Sequence, residues 1–240
     1  MCDCLATPAA LAPSRRRLLG GAAALAALAS SARVLAADTP LPDNRIGPDA
    51  ALARLVQGNA RYVAGRSTQR DFSVGRVART TGQRPFAAIL SCADSRIAPE
   101  LAFDQGPGDL FVVRTAGNYA APALLSSLEY AVAVLNVPLI VVLGHTKCGA
   151  IKGACDHVEM GNLTGLVKKI EPSVNAVETE GERNSSNGEF VEKVAEANVH
   201  RMLDEIQEKS DILRDMIEKG EIGIVGGMSC VETGAVDFYE

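Results

Sequence analysis

Apolar positions along this chain fall into two kinds of pattern. Phe86-Ala-Ala-Ile-Leu-Ser-Cys92, Leu110-Phe-Val-Val-Arg-Thr115 and Leu139-Ile-Val-Val-Leu143 are short runs without polar alternation, as expected of strands buried on both faces of a parallel sheet. Elsewhere the spacing is helical. Leu52, Leu55, Val56 and Val63 predict a helix from Asp49 to about Ala64 with those four on its inner side. The Ala/Leu-rich stretch Ala123 to Leu135 has helical length. Val191, Val194, Ala195, Val199, Met202, Leu203 and Ile206 recur at steps of three and four with Glu and Lys between them. That stripe reads as core packing, with no catalytic role. A second amphipathic helix follows it, then a last strand over Ile222–Val225, while the Glu/Asn/Ser/Gly-rich residues 171–188 predict an exposed loop. Strands alternating with helices predict one α/β domain with a mainly parallel sheet flanked by helices.

The first 37 residues do not share this pattern. Ser14-Arg-Arg-Arg-Leu-Leu-Gly20 leads into the 12-residue apolar stretch Leu18 to Ala29, and small residues continue to Ala37. A basic start, an apolar centre and a small-residue end are the three regions of a signal peptide. The arginine pair before Leu18-Leu19 resembles a twin-arginine signal, which exports folded proteins. The apolar stretch is short of the ~20 residues that span a bilayer, so no permanent anchor is expected. The expected arrangement is a leader over 1–37, cleaved after Ala36 or Ala37, and a single domain over 38–240 destined for the periplasm.

Composition then narrows the chemistry. Of 240 residues, 47% are apolar and 22% charged, the balance of a globular protein rather than a disordered chain or a multi-span membrane protein. Net charge is −5 and becomes −8 once the leader, with four arginines and Asp3, is removed. Such a surface argues against nucleic acid as a partner. Six cysteines are too few for a disulfide scaffold. Two lie in the leader, leaving Cys92, Cys148, Cys155 and Cys230.

Two of those four stand at strand ends. The first strand terminates in Cys92-Ala-Asp94-Ser-Arg96 and the third in Gly144-His145-Thr-Lys-Cys148-Gly149. Sites in open parallel sheets form at the carboxyl ends of strands, so Cys92, His145 and Cys148 converge if those strands are neighbours. Two thiolates and an imidazole suit Zn²⁺, and three protein ligands leave one tetrahedral position open, as in catalytic sites. Asp94 can accept a proton in a hydrogen bond beside that position. Arg96 offers a two-pronged partner that holds the carboxylate off the metal.

These motifs resemble those of the β-class carbonic anhydrases, whose Cys-x-Asp-x-Arg and His-x-x-Cys stand here as Cys92-Ala-Asp94-Ser-Arg96 and His145-Thr-Lys-Cys148. Leu55-Val-Gln-Gly-Asn59-Ala-Arg61 and Gly108-Asp-Leu-Phe-Val-Val-Arg114-Thr-Ala-Gly-Asn118 extend the resemblance over nearly all of the chain after Asp49. It implies a four-stranded parallel core with an additional strand, and one zinc ion per subunit. It also implies reversible hydration of CO₂ to bicarbonate and a proton by zinc-held hydroxide. By position it assigns Gln83, Phe111 and Gly149 to substrate contact, in a homodimer or homotetramer with sites at the subunit interface. Two departures stand out. Ile89 occupies the place of a Trp that some members use in a second, inhibitory bicarbonate pocket, although Arg114 matches that pocket's arginine. Gly227-Met-Ser-Cys-Val-Glu-Thr-Gly234 replaces a Tyr-containing closing pattern, with consequences expected for the last strand. His157 and His200 are available as proton shuttles. Hydrolysis of COS or CS₂ at the same constellation is the alternative enzymatic reading, and a non-catalytic zinc module is the alternative outside enzymes.

Overall fold

The computed structural model describes residues 41–239, so the leader read over 1–37 lies outside the described residues. Five strands form one sheet: β1 (Ala87–Cys92), β2 (Leu110–Thr115), β3 (Leu139–His145), β4 (Gly223–Ser229) and β5 (Val236–Tyr239). Their spatial order is β2-β1-β3-β4-β5, with the first four parallel and β5 antiparallel to β4. The four-stranded parallel core with an added strand is therefore present. The altered closing segment does not remove the last strand; it forms the end of β4 and the turn into β5.

Among the described residues, eight α-helices surround the sheet: α1 (Pro48–Val63), α2 (Arg76–Arg79), α3 (Pro99–Ala102), α4 (Pro122–Glu129), α5 (Gly149–Cys155), α6 (Leu163–Ala176), α7 (Gly188–Lys209) and α8 (Asp211–Glu218). A π-helical turn, Tyr130–Val134, continues α4, so the helix expected over Ala123–Leu135 changes its winding half-way. None of the helices in the described residues is long and apolar enough to cross a membrane.

Every residue of β1 and β3 is buried, because helices cover both faces of the central strands. Side chains alternate between faces with period two. Ala88, Leu90, Ile140 and Val142 meet Leu125 and Leu128 of α4 and Val199, Met202 and Ile206 of α7. Ala87, Ile89, Val141 and Leu143 meet Ala51 and Leu55 of α1 and Phe103. Each Leu or Ile so enclosed is worth roughly 2 kcal/mol of transfer free energy, and this clamps the sheet whose upper edge carries the motifs.

Two expectations need correction. α1 buries Ala51, Leu55, Gly58 and Asn59, whereas Val56 and Val63 are each 47% exposed. The reason is close backbone approach: a Cβ on Gly58 would stand 1.8 Å from the Phe103 carbonyl oxygen, so the helix turns its small residues inward. The loop read over 171–188 is shorter, since α6 continues through Pro172 to Ala176. Ile170, Ser173 and Val174 are buried there, and their packing overrides the proline.

A buried carboxylate ties the end of α1 and the segment after it to this framework. Asp104, with its side chain 1% exposed, pairs with Arg61 and Arg70, each at 2.5 Å. It also accepts from the Thr68 backbone N–H and hydroxyl. Burial alone would raise its carboxyl, but Arg70, Arg61 and Thr68 outweigh it and hold it well below the ordinary range. A depressed folded value adds stability above the unfolded value of about 3.9 and loses it as pH falls further. Asp104→Asn is therefore expected to cost ~3 kcal/mol near neutral pH. Urea unfolding across the acid range should find that gap narrowing below about pH 4; a constant gap would contradict the ion-pair account.

Candidate metal centre

The sheet register builds the site. Ser91 pairs with Leu143, so the chain ends of β1 and β3 lie side by side, with Cys92 the last residue of one and His145 the last of the other. Lys147 then takes a left-handed conformation (φ 57°), turning the chain so that Cys148 faces back immediately before α5. The donor atoms of Cys92, His145 and Cys148 all lie within 4.8 Å of one another, and all three residues are buried.

The donor set fits zinc. The two sulfurs are 3.9 Å apart. Zn–S bonds of ~2.3 Å at a tetrahedral angle require about 3.8 Å. His145 Nδ1 lies 2.9 Å from the Thr146 carbonyl oxygen, to which it donates in the neutral ring. That bond leaves the lone pair on Nε2, which is buried and has no hydrogen-bond partner. An orphaned buried acceptor aimed at two thiols is what a metal ligand looks like without its ion. The Cys148 S–H draws the Cys92 thiol downward, and that thiolate with burial pushes Cys148 upward; a cation held by both sulfurs would displace the proton.

Asp94 and Arg96 complete the rim. Arg96 donates from Nε to Asp94 Oδ1 at 2.9 Å and from Nη2 to Oδ2 at 2.7 Å. The Arg96 guanidinium holds the Asp94 carboxyl well below the usual carboxylate range. Asp94 Oδ2 is 4.0 Å from His145 Nε2, so the carboxylate faces the cluster while bonded to its arginine. Arg114 reaches across from β2 to the Cys92, Asp94 and Ile97 carbonyls at 2.8, 2.7 and 2.6 Å, bracing the Asp94 loop. Those bonds commit Arg114 to the loop, and Ile89 is wholly within the core.

Of the remaining candidates, Gly149 adjoins Cys148 with open space around its Cα. Gln83 and Phe111 sit elsewhere in the same subunit. Phe111 pairs with Ala88, four register positions below Cys92 and Thr115, a separation of about 13 Å along the strands. Gln83 precedes β1 and lines a cavity of about 470 Å³ with Asn44, Arg84 and Asn136. His157 and His200 are exposed and lie outside the donor cluster, and His200 stacks on Tyr239 at 4.6 Å. Cys155 and Cys230 are free thiols. Burial pushes the Cys155 thiol up to about 11.

With this geometry established, comparison with known proteins is direct. A family model described as Carbonic anhydrase matches residues 87–236, the span holding the four parallel strands, Asp94, Arg96 and all three donors. The chain belongs to the β-carbonic anhydrase family. It is thus a member of a family of lyases, the carbonate dehydratases. Carbonic anhydrase 2 of Mycobacterium tuberculosis is 43% identical over 185 residues, covering 75% of this chain and 86% of that relative. Among solved structures, the β-carbonic anhydrase CcaA superposes with a TM-score of 0.62 at 27% identity, covering 80% of this chain and 88% of the other. A β-carbonic anhydrase described as tetrameric, from Sordaria macrospora, gives 0.58 at 25% identity over 66% of this chain and 82% of its own.

The β-carbonic anhydrase centre also rests on residues not evident from the motifs. Glu192 of α7 accepts the Lys147 N–H at 2.9 Å, fixing the turn between His145 and Cys148. Asn198, on the same helix, reaches the Gly117 carbonyl at 3.0 Å. Its sequence signal is a polar residue in step with the apolar stripe, seven residues after Val191 and four before Met202.

Proposed function

We propose that the chain catalyses reversible hydration of CO₂ to bicarbonate and a proton, with one zinc ion per subunit on Cys92, His145 and Cys148. One observation carries the reading: the buried, unpartnered His145 Nε2 aimed at two thiols whose spacing suits a tetrahedral ion. Zinc, when bound, supplies a Lewis acid that makes water a nucleophile near neutral pH. Asp94, kept ionised by Arg96, accepts the hydrogen bond of that nucleophile and so orients its free lone pair towards the substrate carbon. Arg96 prevents the carboxylate from taking the open ligand position itself. Gly149, with no side chain over its backbone, leaves room for the small substrate.

Gln83 and Phe111 enter this reading through a second copy of the chain. Within one subunit they lie far from the donors, so their part in substrate contact requires a homodimer or a pair of dimers. β2 supports this as an edge strand with Leu110, Phe111 and Val112 only half-buried, as does Tyr130, 45% exposed, beside Phe111. The leader over 1–37 would deliver the protein to the oxidising periplasm already folded and metallated, and that order of events would protect the thiolate ligands from oxidation.

Purified chain 38–240 is expected to carry one zinc per subunit and to hydrate CO₂ in stopped-flow assays run beside COS and CS₂. Turnover of the sulfur substrates alone would replace this reading with the hydrolase one. Zinc without any turnover would leave a binding module.

A further inference from the structure

We propose that Asn198 is a positioning residue for the metal centre, acting through the backbone of Gly117 on the sulfur of Cys92. The inference rests on the zinc reading above and concerns how the protein tunes one ligand. Asn198 is 0% exposed on the apolar face of α7, flanked by Val194, Ala195, Val199 and Met202. A buried amide there costs stability unless its hydrogen bonds are met, and an aliphatic side chain would fill the space more simply.

Its bonds lead to the metal site. Asn198 Nδ2 donates to the Gly117 carbonyl at 3.0 Å, and the Gly117 N–H donates to Cys92 Sγ at 3.3 Å. On the other side, Asn198 Oδ1 accepts from the Ser173 hydroxyl at 3.2 Å, and Ser173 Oγ accepts from Arg201 Nε at 3.0 Å. The directions are fixed at both ends. A guanidinium only donates and a carbonyl only accepts, so every donor along the chain points from the surface of α7 towards the sulfur.

Gly117 is the sole freedom in this path, and the fold removes it. Its φ of 74° is left-handed, and a Cβ there would meet Ile170 Cδ1 at 2.5 Å and Ala150 at 3.2 Å. Gly117 is thus packed on its α6 side and held by Asn198 at its carbonyl oxygen, which fixes where its N–H points. An N–H held on a thiolate sets the energy of its lone pairs and fixes their direction, and a ligand that loses this alignment releases its ion sooner.

The test uses the full chain loaded with zinc or with cobalt as a spectroscopic probe. Asn198→Leu keeps the volume and Asn198→Asp keeps the shape, and both lack the N–H for Gly117. Either is expected to shift the thiolate-to-cobalt charge-transfer band and to lose metal to a chelator about tenfold faster. Val199→Ala, a neighbouring core change outside the chain of bonds, should lower stability and leave band and release rate alone. Folded Asn198 variants with unaltered band and release overturn the proposal. In the unaltered chain loaded with ¹¹³Cd, the Gly117 amide proton should couple to the metal through its hydrogen bond. Absence of that coupling overturns the proposal even where neither variant folds. An unaltered chain that takes up no metal overturns the zinc reading instead.

Discussion

Asp94→Asn is expected to keep its zinc and lose about 10²- to 10⁴-fold in CO₂ hydration, the usual contribution of one positioned proton acceptor. In transition-state terms this is roughly 3–5 kcal/mol. The two-pronged Arg96 contact occupies both carboxylate oxygens yet leaves Oδ2 4.0 Å from His145 Nε2. An ionised carboxylate has further lone pairs for a nucleophile's hydrogen; a carboxamide presents N–H at one of the two atoms and would oppose it. Cys92, His145 and Cys148 are untouched, so metal content should stay near one per subunit. Removing the other partner acts differently. Arg96→Leu frees a carboxylate whose side chain is only 17% exposed and already borders the cluster, and it should turn onto the metal. That variant is expected to be inactive but to release zinc more slowly than the parent, whereas Asp94→Asn is not. Stopped-flow rates with metal analysis separate the two cases. An Asp94→Asn enzyme of parental rate would remove Asp94 from the mechanism.

What the sequence disclosed follows from how local each feature is. β1 and β3 were legible because a strand covered on both faces is apolar at nearly every position, and Ala87–Cys92, broken only by Ser91, and Leu139–Leu143 satisfy this within a few residues. The donor cluster was legible for the same reason: once those strands are parallel neighbours, their chain ends cannot be far apart. β5 has only four residues, half-buried except exposed Asp237, and no periodicity to display. α6 was hidden by Pro172 because the residues that override it, Ile170 and Val174, act through contacts with α5 and α7. The inner face of α1 depended on Gly58 meeting the Phe103 backbone, which no hydropathy pattern encodes. Asn198 was passed over for a related reason. A stripe of Val and Met explains α7 well enough that one amide inside it looks incidental until its partners are known. Gln83 and Phe111, which the resemblance groups with the donors, lie away from them in the same subunit, a separation that no sequence spacing encodes.

Stripping the metal is expected to abolish hydration and to lower the melting temperature by about 10 °C, both restored by added zinc. A ligand present at a thousand times its dissociation constant stabilises the folded chain by ~4 kcal/mol. In a domain of this size each kcal/mol moves the midpoint by roughly 2–4 °C. The fold itself should survive, since both faces of the sheet are built from aliphatic contacts remote from the donors. What changes is local. Without the ion, Cys148 returns a proton towards Cys92 and His145 Nε2 stays buried without a partner, so the turn at Thr146–Lys147 loses the contact that gives it purpose. His145→Ala separates the two effects. It removes one donor and the orphaned nitrogen together, so it should be inactive and weakly metallated, yet melt close to the stripped parent. A chelated sample, shown by metal analysis to hold no zinc, that still hydrates CO₂ at the parental rate would refute the metal centre. Equal melting temperatures with and without zinc would mean that the cluster contributes nothing to the fold that carries it.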